Sequence, residues 1–186
     1  MKYRIFIAIN LPKDTKQKIA LFSQNLKRFN WPVKWVELEN FDITLNFLGD
    51  LTPKEVEKVC LILEKTTKNY HPFDLKIERL NVFPNLAHVR TVIFEVEKND
   101  ELMKLQQELS SRLKVNEFRV EERKFTPHIT LGRVKRKRLR LDENLLNNLS
   151  VPQSVFTVQN IEIMKSELFP EGPKYSIVKS YKLCSQ

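Results

Sequence analysis

Two segments of this chain carry the same core at a wide separation: "FDITLNFLG" at 41–49 and "FTPHITLGRV" at 125–134. In each, an Ile-Thr-Leu run follows one polar residue, Asp42 in the first copy and His128 in the second, 86 positions later. Alternating apolar and polar residues read as a strand with one face against a core. Residues two apart in a strand share a face, so Asp42 with Thr44 and His128 with Thr130 point one way. Ile43, Leu45 and Phe47, like Ile129 and Leu131, back them from the core side. A chain that repeats such a strand about half its length apart is expected to fold as two related lobes. Under an approximate two-fold axis the four polar groups meet in one cleft.

The rest of the chain supports that reading. "YRIFIAIN" alternates, with both faces fairly apolar, as in a central strand. Ile19, Phe22, Leu26 and Phe29 fall at helical spacing after Pro12. "VKWVEL" reads as a short strand, and "FDITLNFLG" is expected to end at Gly49 in a turn. Thr52 as N-cap, Pro53 at the first helical position and Glu55 three residues after the cap announce a second helix. "FDLKIERLNVFP" and "HVRTVIFEVE" read as paired strands around "FPNLA". Leu102, Leu105, Leu109 and Leu113 form the stripe of a third helix, capped by Asn99 or Asp100. A strand is expected near "EFRVEE", a short helix at "ENLLNNL", and two closing strand patterns at "SVFTVQNIEIMKSELF" and "KYSIVKSYKL". Hairpins outnumber strict strand-helix alternation, so the fold class is α+β with antiparallel sheets.

At 186 residues the chain suits one substantial core, or two small lobes sharing one. Only three glycines and 41% hydrophobic residues exclude disordered and collagen-like chains. The formal charge of +9 fits an anionic partner such as nucleic acid, and equally a merely soluble basic surface. No stretch reaches the roughly 20 apolar residues of a membrane span, and the N-terminus lacks a signal-peptide pattern. Cys60 and Cys184 lack any C-x-x-C spacing, as in a reduced, cytoplasmic protein.

The paired segments resemble the His-x-Thr motifs of the two-histidine (2H) phosphoesterase superfamily, and within it the RNA 2',3'-cyclic phosphodiesterase family, also called 2'-5' RNA ligases. "IFIAI", "VFPN" followed by "VRTVIF", and "SELFPEGPKY" match the family in order and spacing, so the resemblance covers almost the whole chain. It implies one domain over 1–186, made of two intertwined lobes, with motif strands near 42–48 and 128–134 and outer helices around a central cleft. It also implies hydrolysis of RNA 2',3'-cyclic phosphate ends to 2'-phosphates, with 2'-5' ligation in reverse and without metal or cofactor. The expected partner is RNA ending in a cyclic phosphate or a 2'-phosphate, tRNA halves among them, acted on by a monomer that binds no membrane.

Carried over residue by residue, His128 is a catalytic residue, and Thr44 and Thr130 hold phosphate oxygens. Arg133 and Arg90 occupy family arginine positions and are candidate substrate-binding residues. Asp42 stands where the family has its first histidine. In-line displacement at phosphorus needs a base on one side, an acid on the other, and donors to the nonbridging oxygens. An ordinary carboxyl is protonated in only about one molecule in a thousand at pH 7, so its use as an acid costs roughly 4 kcal/mol. As a base it can accept the proton of water while protonated His128 serves as the acid. The alternative is an impaired homologue that binds RNA ends or phosphate ligands without turnover. By strict alternation Arg133 faces away from His128 unless Gly132 bends the strand. His88 and His71 read as surface residues, and the basic run "KRKRLR" at 135–140 as a track for the RNA backbone or a solvated face.

Overall fold

The protein is described by a computed structural model covering residues 2–135, 138–170 and 172–184. Among these residues, nine strands and four α-helices follow one another as β1 (Tyr3–Asn10), α1 (Lys13–Lys27), β2 (Val33–Trp35), β3 (Asp42–Leu51), α2 (Pro53–Thr67), β4 (Phe73–Phe83), β5 (Thr91–Val96), α3 (Asp100–Val115), β6 (His128–Val134), α4 (Glu143–Asn147), β7 (Val155–Val158), β8 (Asn160–Phe169) and β9 (Gly172–Lys182). They form two sheets of antiparallel neighbours, in the orders β3-β1-β8-β9 and β2-β6-β5-β4-β7. The fold is therefore α+β, and each motif strand belongs to a different sheet. Chain order and sheet membership interleave: β2 precedes β3 yet joins the second sheet, and Gln159 alone separates β7 in the second sheet from β8 in the first.

Burial explains why β1 is apolar on both faces. Ile5, Ile7 and Ile9 enter the main core, while Phe6 and Ala8 form a small second cluster with Met164, against which Tyr175 packs. The helices cover the other side of the sheets. In α1, Ile19, Phe22 and Leu26 are buried, and the Phe22 ring lies 5.0 Å from that of Phe94 in β5. Thr52 caps α2 with the reciprocal Glu55 bonds of a capping box, and Asn99 caps α3, whose four stripe leucines are fully buried.

Two expectations are corrected. Gly49 does not end its strand. It sits inside β3 with φ 74° at a bulge, because Ile5 pairs with Gly49 while Phe6 pairs with Phe47, leaving Leu48 unpaired. That backbone angle favours glycine, which lacks a Cβ to clash. No strand forms at "EFRVEE": Glu117 takes φ 64°, its N–H donates to the Lys114 carbonyl, and Phe118 N–H donates to the Leu113 carbonyl. These are the two bonds of a Schellman motif, so the segment begins as the stop of α3 rather than as a strand.

Candidate active site

The two motif strands lie close together, one from each sheet, and they are built alike. In β3 the pairing with β1 slips so that Thr44 faces Ala8 and Asn46 faces Ile7, which leaves Leu45 as the extra residue. In β6 the pairing with β5 slips so that Thr130 faces Ile93 and Gly132 faces Val92, which leaves Leu131 as the extra residue. A bulge leaves the carbonyl of its extra residue outside the ladder, and both are satisfied from elsewhere. Gln106 Nε2 of α3 donates to the Leu45 carbonyl at 3.3 Å, and Val36 N–H donates to the Leu131 carbonyl at 2.8 Å. Each bulge also inverts the parity of the residues beyond it. Phe47 and Arg133, five positions after Asp42 and His128, turn to the same side as the polar pair.

The result is a cavity of about 160 Å³ lined by Asp42, Thr44 and Phe47 from β3 and by His128, Thr130 and Arg133 from β6. Lys34 and Trp35 of β2 and Pro173 and Tyr175 of β9 close its sides. Asn40 Nδ2 donates to the Pro173 carbonyl at 2.7 Å, tying the turn before β3 to the start of β9 at the cleft edge. Gly132 lets β2 come this near. A Cβ there would collide with Val33 Cγ1 and lie 3.1 Å from Trp35 Cε3.

His128 is half-buried, its ring 5.1 Å from that of Phe83 and nearly perpendicular to it. Its Nδ1 lies 2.7 Å from the Thr126 carbonyl. A carbonyl only accepts, so Nδ1 carries the proton and Nε2 is the nitrogen left for chemistry. Burial holds this imidazole below its usual range; the Thr126 bond opposes that and the Arg133 charge adds to it. Neutral His128 therefore predominates at pH 7.

Asp42 moves the other way. Burial raises its carboxyl to about 6, against the Thr44 hydroxyl, which donates to Oδ1 at 2.8 Å, and against the charge of Lys16. Lys16 is itself buried, donating from Nζ to the Glu39 carbonyl at 2.7 Å. With its carboxyl near 6, about one Asp42 in ten is protonated at pH 7, and the cost of using it as an acid falls to roughly 1.4 kcal/mol. The cleft thus receives a neutral imidazole from one sheet and, from the other, a carboxyl that can hold a proton.

Asp42, Thr44, His128, Thr130 and Arg133 come together, whereas Arg90 does not join them. Its backbone is bonded to Phe83 and Val134, and its side chain lines a neighbouring basic pocket with His88, Lys135 and Arg138. Of the basic run at 135–140, positions 136 and 137 lie outside the described residues. Lys34, Trp35, Phe47 and Tyr175 are cleft residues that strand alternation alone missed. The equal five-residue offset of Phe47 and Arg133 within the two repeats was a signal for one of them.

Two antiparallel sheets meeting at a cleft lined by one polar pair from each define a 2H phosphoesterase fold. A structure of TT0787 from Thermus thermophilus superposes with a TM-score of 0.84 at 22% identity, over 98% of this chain and 99% of that one. E. coli LigT in complex with 3'-AMP superposes with a TM-score of 0.78 at 21% identity, over 98% and 99%. The model of the 2'-5' RNA ligase superfamily matches residues 43–168, and the chain belongs to that family. Among its relatives, the RNA 2',3'-cyclic phosphodiesterase of Methanothermobacter thermautotrophicus is 32% identical over 98% of this chain and all of its own length. That of Methanocaldococcus jannaschii is 31% identical over 96% and 99%.

Proposed function

We propose that this chain hydrolyses 2',3'-cyclic phosphate ends of RNA to 2'-phosphates, acting in the cytoplasm without a metal. The observation that carries the reading is that His128 and Asp42, from different sheets, line one cleft together with Thr44, Thr130 and Arg133. The names of its relatives support the substrate class, and the ends left when tRNA is cut fall within it.

In this mechanism His128 Nε2 takes a proton from water, whose oxygen attacks phosphorus in line with the bond to the 3' oxygen. That bond breaks, and the proton of Asp42 passes to the departing 3' oxygen, leaving the phosphate on the 2' oxygen. Arg133 and the hydroxyls of Thr130 and Thr44 meet the charge on the nonbridging oxygens. The Thr44 hydroxyl has one proton, which without substrate is given to Asp42. Protonation of Asp42 weakens that bond and frees the hydroxyl for phosphate, so arming the acid and arming the phosphate donor are one event. The imidazole is then the base and the carboxyl the acid, the reverse of what ordinary pKa values imply.

A second reading, a cleft that binds phosphate ends without turning them over, draws on the same Thr44–Asp42 bond, since an ionised carboxylate repels a phosphodiester. Turnover of an oligonucleotide ending in a 2',3'-cyclic phosphate separates the two. The parent is expected to be active, Asp42→His more active above pH 7, and His128→Ala reduced about a hundred- to ten-thousandfold. Binding with no hydrolysis by the parent between pH 5 and 8 would establish the second reading instead.

A further inference from the structure

A second cavity, of about 440 Å³, opens beside the cleft and shares Phe47, Arg133, Pro173 and Tyr175 with it. Its other walls include Arg4 from β1 and Ser166 and Leu168 from β8. Arg4 and Phe6 lie two apart in β1 and so project toward the same side of the sheet. Phe6 forms the floor, its ring 4.9 Å from Tyr175 in an edge contact and 5.8 Å from Phe47. Above that floor Phe47 is 59% exposed and Leu168 69% exposed, large apolar surfaces beside two arginines. Among the described residues no carboxylate forms an ion pair with Arg4 or Arg133.

Covalent chemistry of the substrate says what lies there. When a terminal cyclic phosphate sits between His128 and Asp42, its 2' and 3' oxygens are both occupied, so the chain leaves the terminal ribose only through the 5' oxygen. The next phosphodiester and nucleoside must occupy space adjoining the cleft. We infer that the second cavity is a subsite for the penultimate nucleotide of an RNA end, with Arg4 beside the linking phosphodiester, Arg133, which lines both cavities, between that phosphodiester and the cleft phosphate, and Phe47 and Leu168 offering an apolar face to the base. Arginine suits the phosphate by its planar fork of donors, and an apolar platform takes any base because every base has a π-face. The subsite makes the protein selective for oligonucleotide ends over cyclic mononucleotides.

This inference rests on the proposed use of the cleft, and product binding tests it without relying on turnover. Dissociation constants are measured by calorimetry for a nucleoside 2'-phosphate and for a dinucleotide ending in the same 2'-phosphate, with the parent, Arg4→Ala and Leu168→Ser. The parent is expected to bind the dinucleotide about tenfold or more tighter than the mononucleotide. Each variant is expected to lose most of that advantage and to bind the mononucleotide as the parent does. Equal affinity of the parent for the two ligands, or an advantage that survives in both variants, overturns the subsite while leaving the cleft assignment intact. Failure of the parent to bind either ligand overturns both.

Discussion

At position 42 a carboxyl stands where its partner strand carries an imidazole, and the surroundings of the two groups bring them toward one pH range. The raised carboxyl titrates at about 6, and the lowered imidazole titrates below its ordinary 6.5. Activity that needs His128 neutral and Asp42 protonated rises as pH climbs through the His128 value. It falls, about tenfold per pH unit, once pH passes about 6. The pH dependence of kcat/KM is therefore expected to be a narrow bell on the acid side of neutrality, and Asp42→His is expected to move the falling limb upward. The bell alone does not say which group donates; the leaving group does. Asp42→Asn is expected to lose about a hundred- to ten-thousandfold on a cyclic-phosphate RNA end, whose alkoxide needs a proton. The loss should shrink to less than tenfold on an aryl phosphodiester whose phenolate leaves unaided. His128→Ala should impair both substrates alike. Equal losses for Asp42→Asn on the two substrates would make Asp42 the base instead.

Strands position these groups through their irregularities. A regular β6 would turn Arg133 away from His128; the bulge at Leu131 brings it into the cleft, and the bulge at Leu45 does the same for Phe47. Gly132 fixes the opposite wall by admitting β2 within van der Waals contact. Gly132→Ala puts a methyl into Val33, so β2 must move, carrying with it Lys34 and Trp35 of the cleft wall. Destabilisation of about 1–3 kcal/mol is expected in denaturant unfolding, the usual range for overpacking. KM should rise more than kcat falls, since the displaced residues line the cleft and do not move protons. The helices were legible because a 3.6-residue apolar stripe and a capping box are local, and the strands because alternation is local. The bulges were not, because a register slip is a property of paired strands, and the carbonyls it frees are met from afar, by Gln106 of α3 in one sheet and by Val36 in the other. The segment at 117–122 misled for a similar reason. Its alternation is real, but Glu117 and Phe118 serve the end of α3. Asp42 was legible as a departure from its own repeat, whereas its pKa depends on burial and on Lys16, which no short stretch reveals.

For the whole molecule, the cleft is one part of a basic surface. Arg4 and Arg133 line a cavity that adjoins it, and Arg90, Lys135 and Arg138 line a separate pocket just past the end of β6. Among the described residues no helix is long and apolar enough to cross a membrane, and the formal charge of +9 favours a polyanion over a neutral ligand. Binding of a single strand displaces counterions, so log K falls with log salt at a slope of about −0.7 for each phosphate neutralised. A nucleoside 2'-phosphate reaches only the cleft and should show a slope near −1 or shallower. An oligonucleotide of six or more nucleotides with the same end should show about −2 to −3 if it also engages the flanking arginines. Replacing Lys135, Arg138 and Arg140 together by Gln asks whether the run after β6 is part of that track. A contribution there reduces the oligonucleotide slope by about 1 and leaves the mononucleotide slope unchanged. An unaltered oligonucleotide slope would assign the run to the solvated surface and leave the RNA to the cleft and the cavity that Arg4 lines.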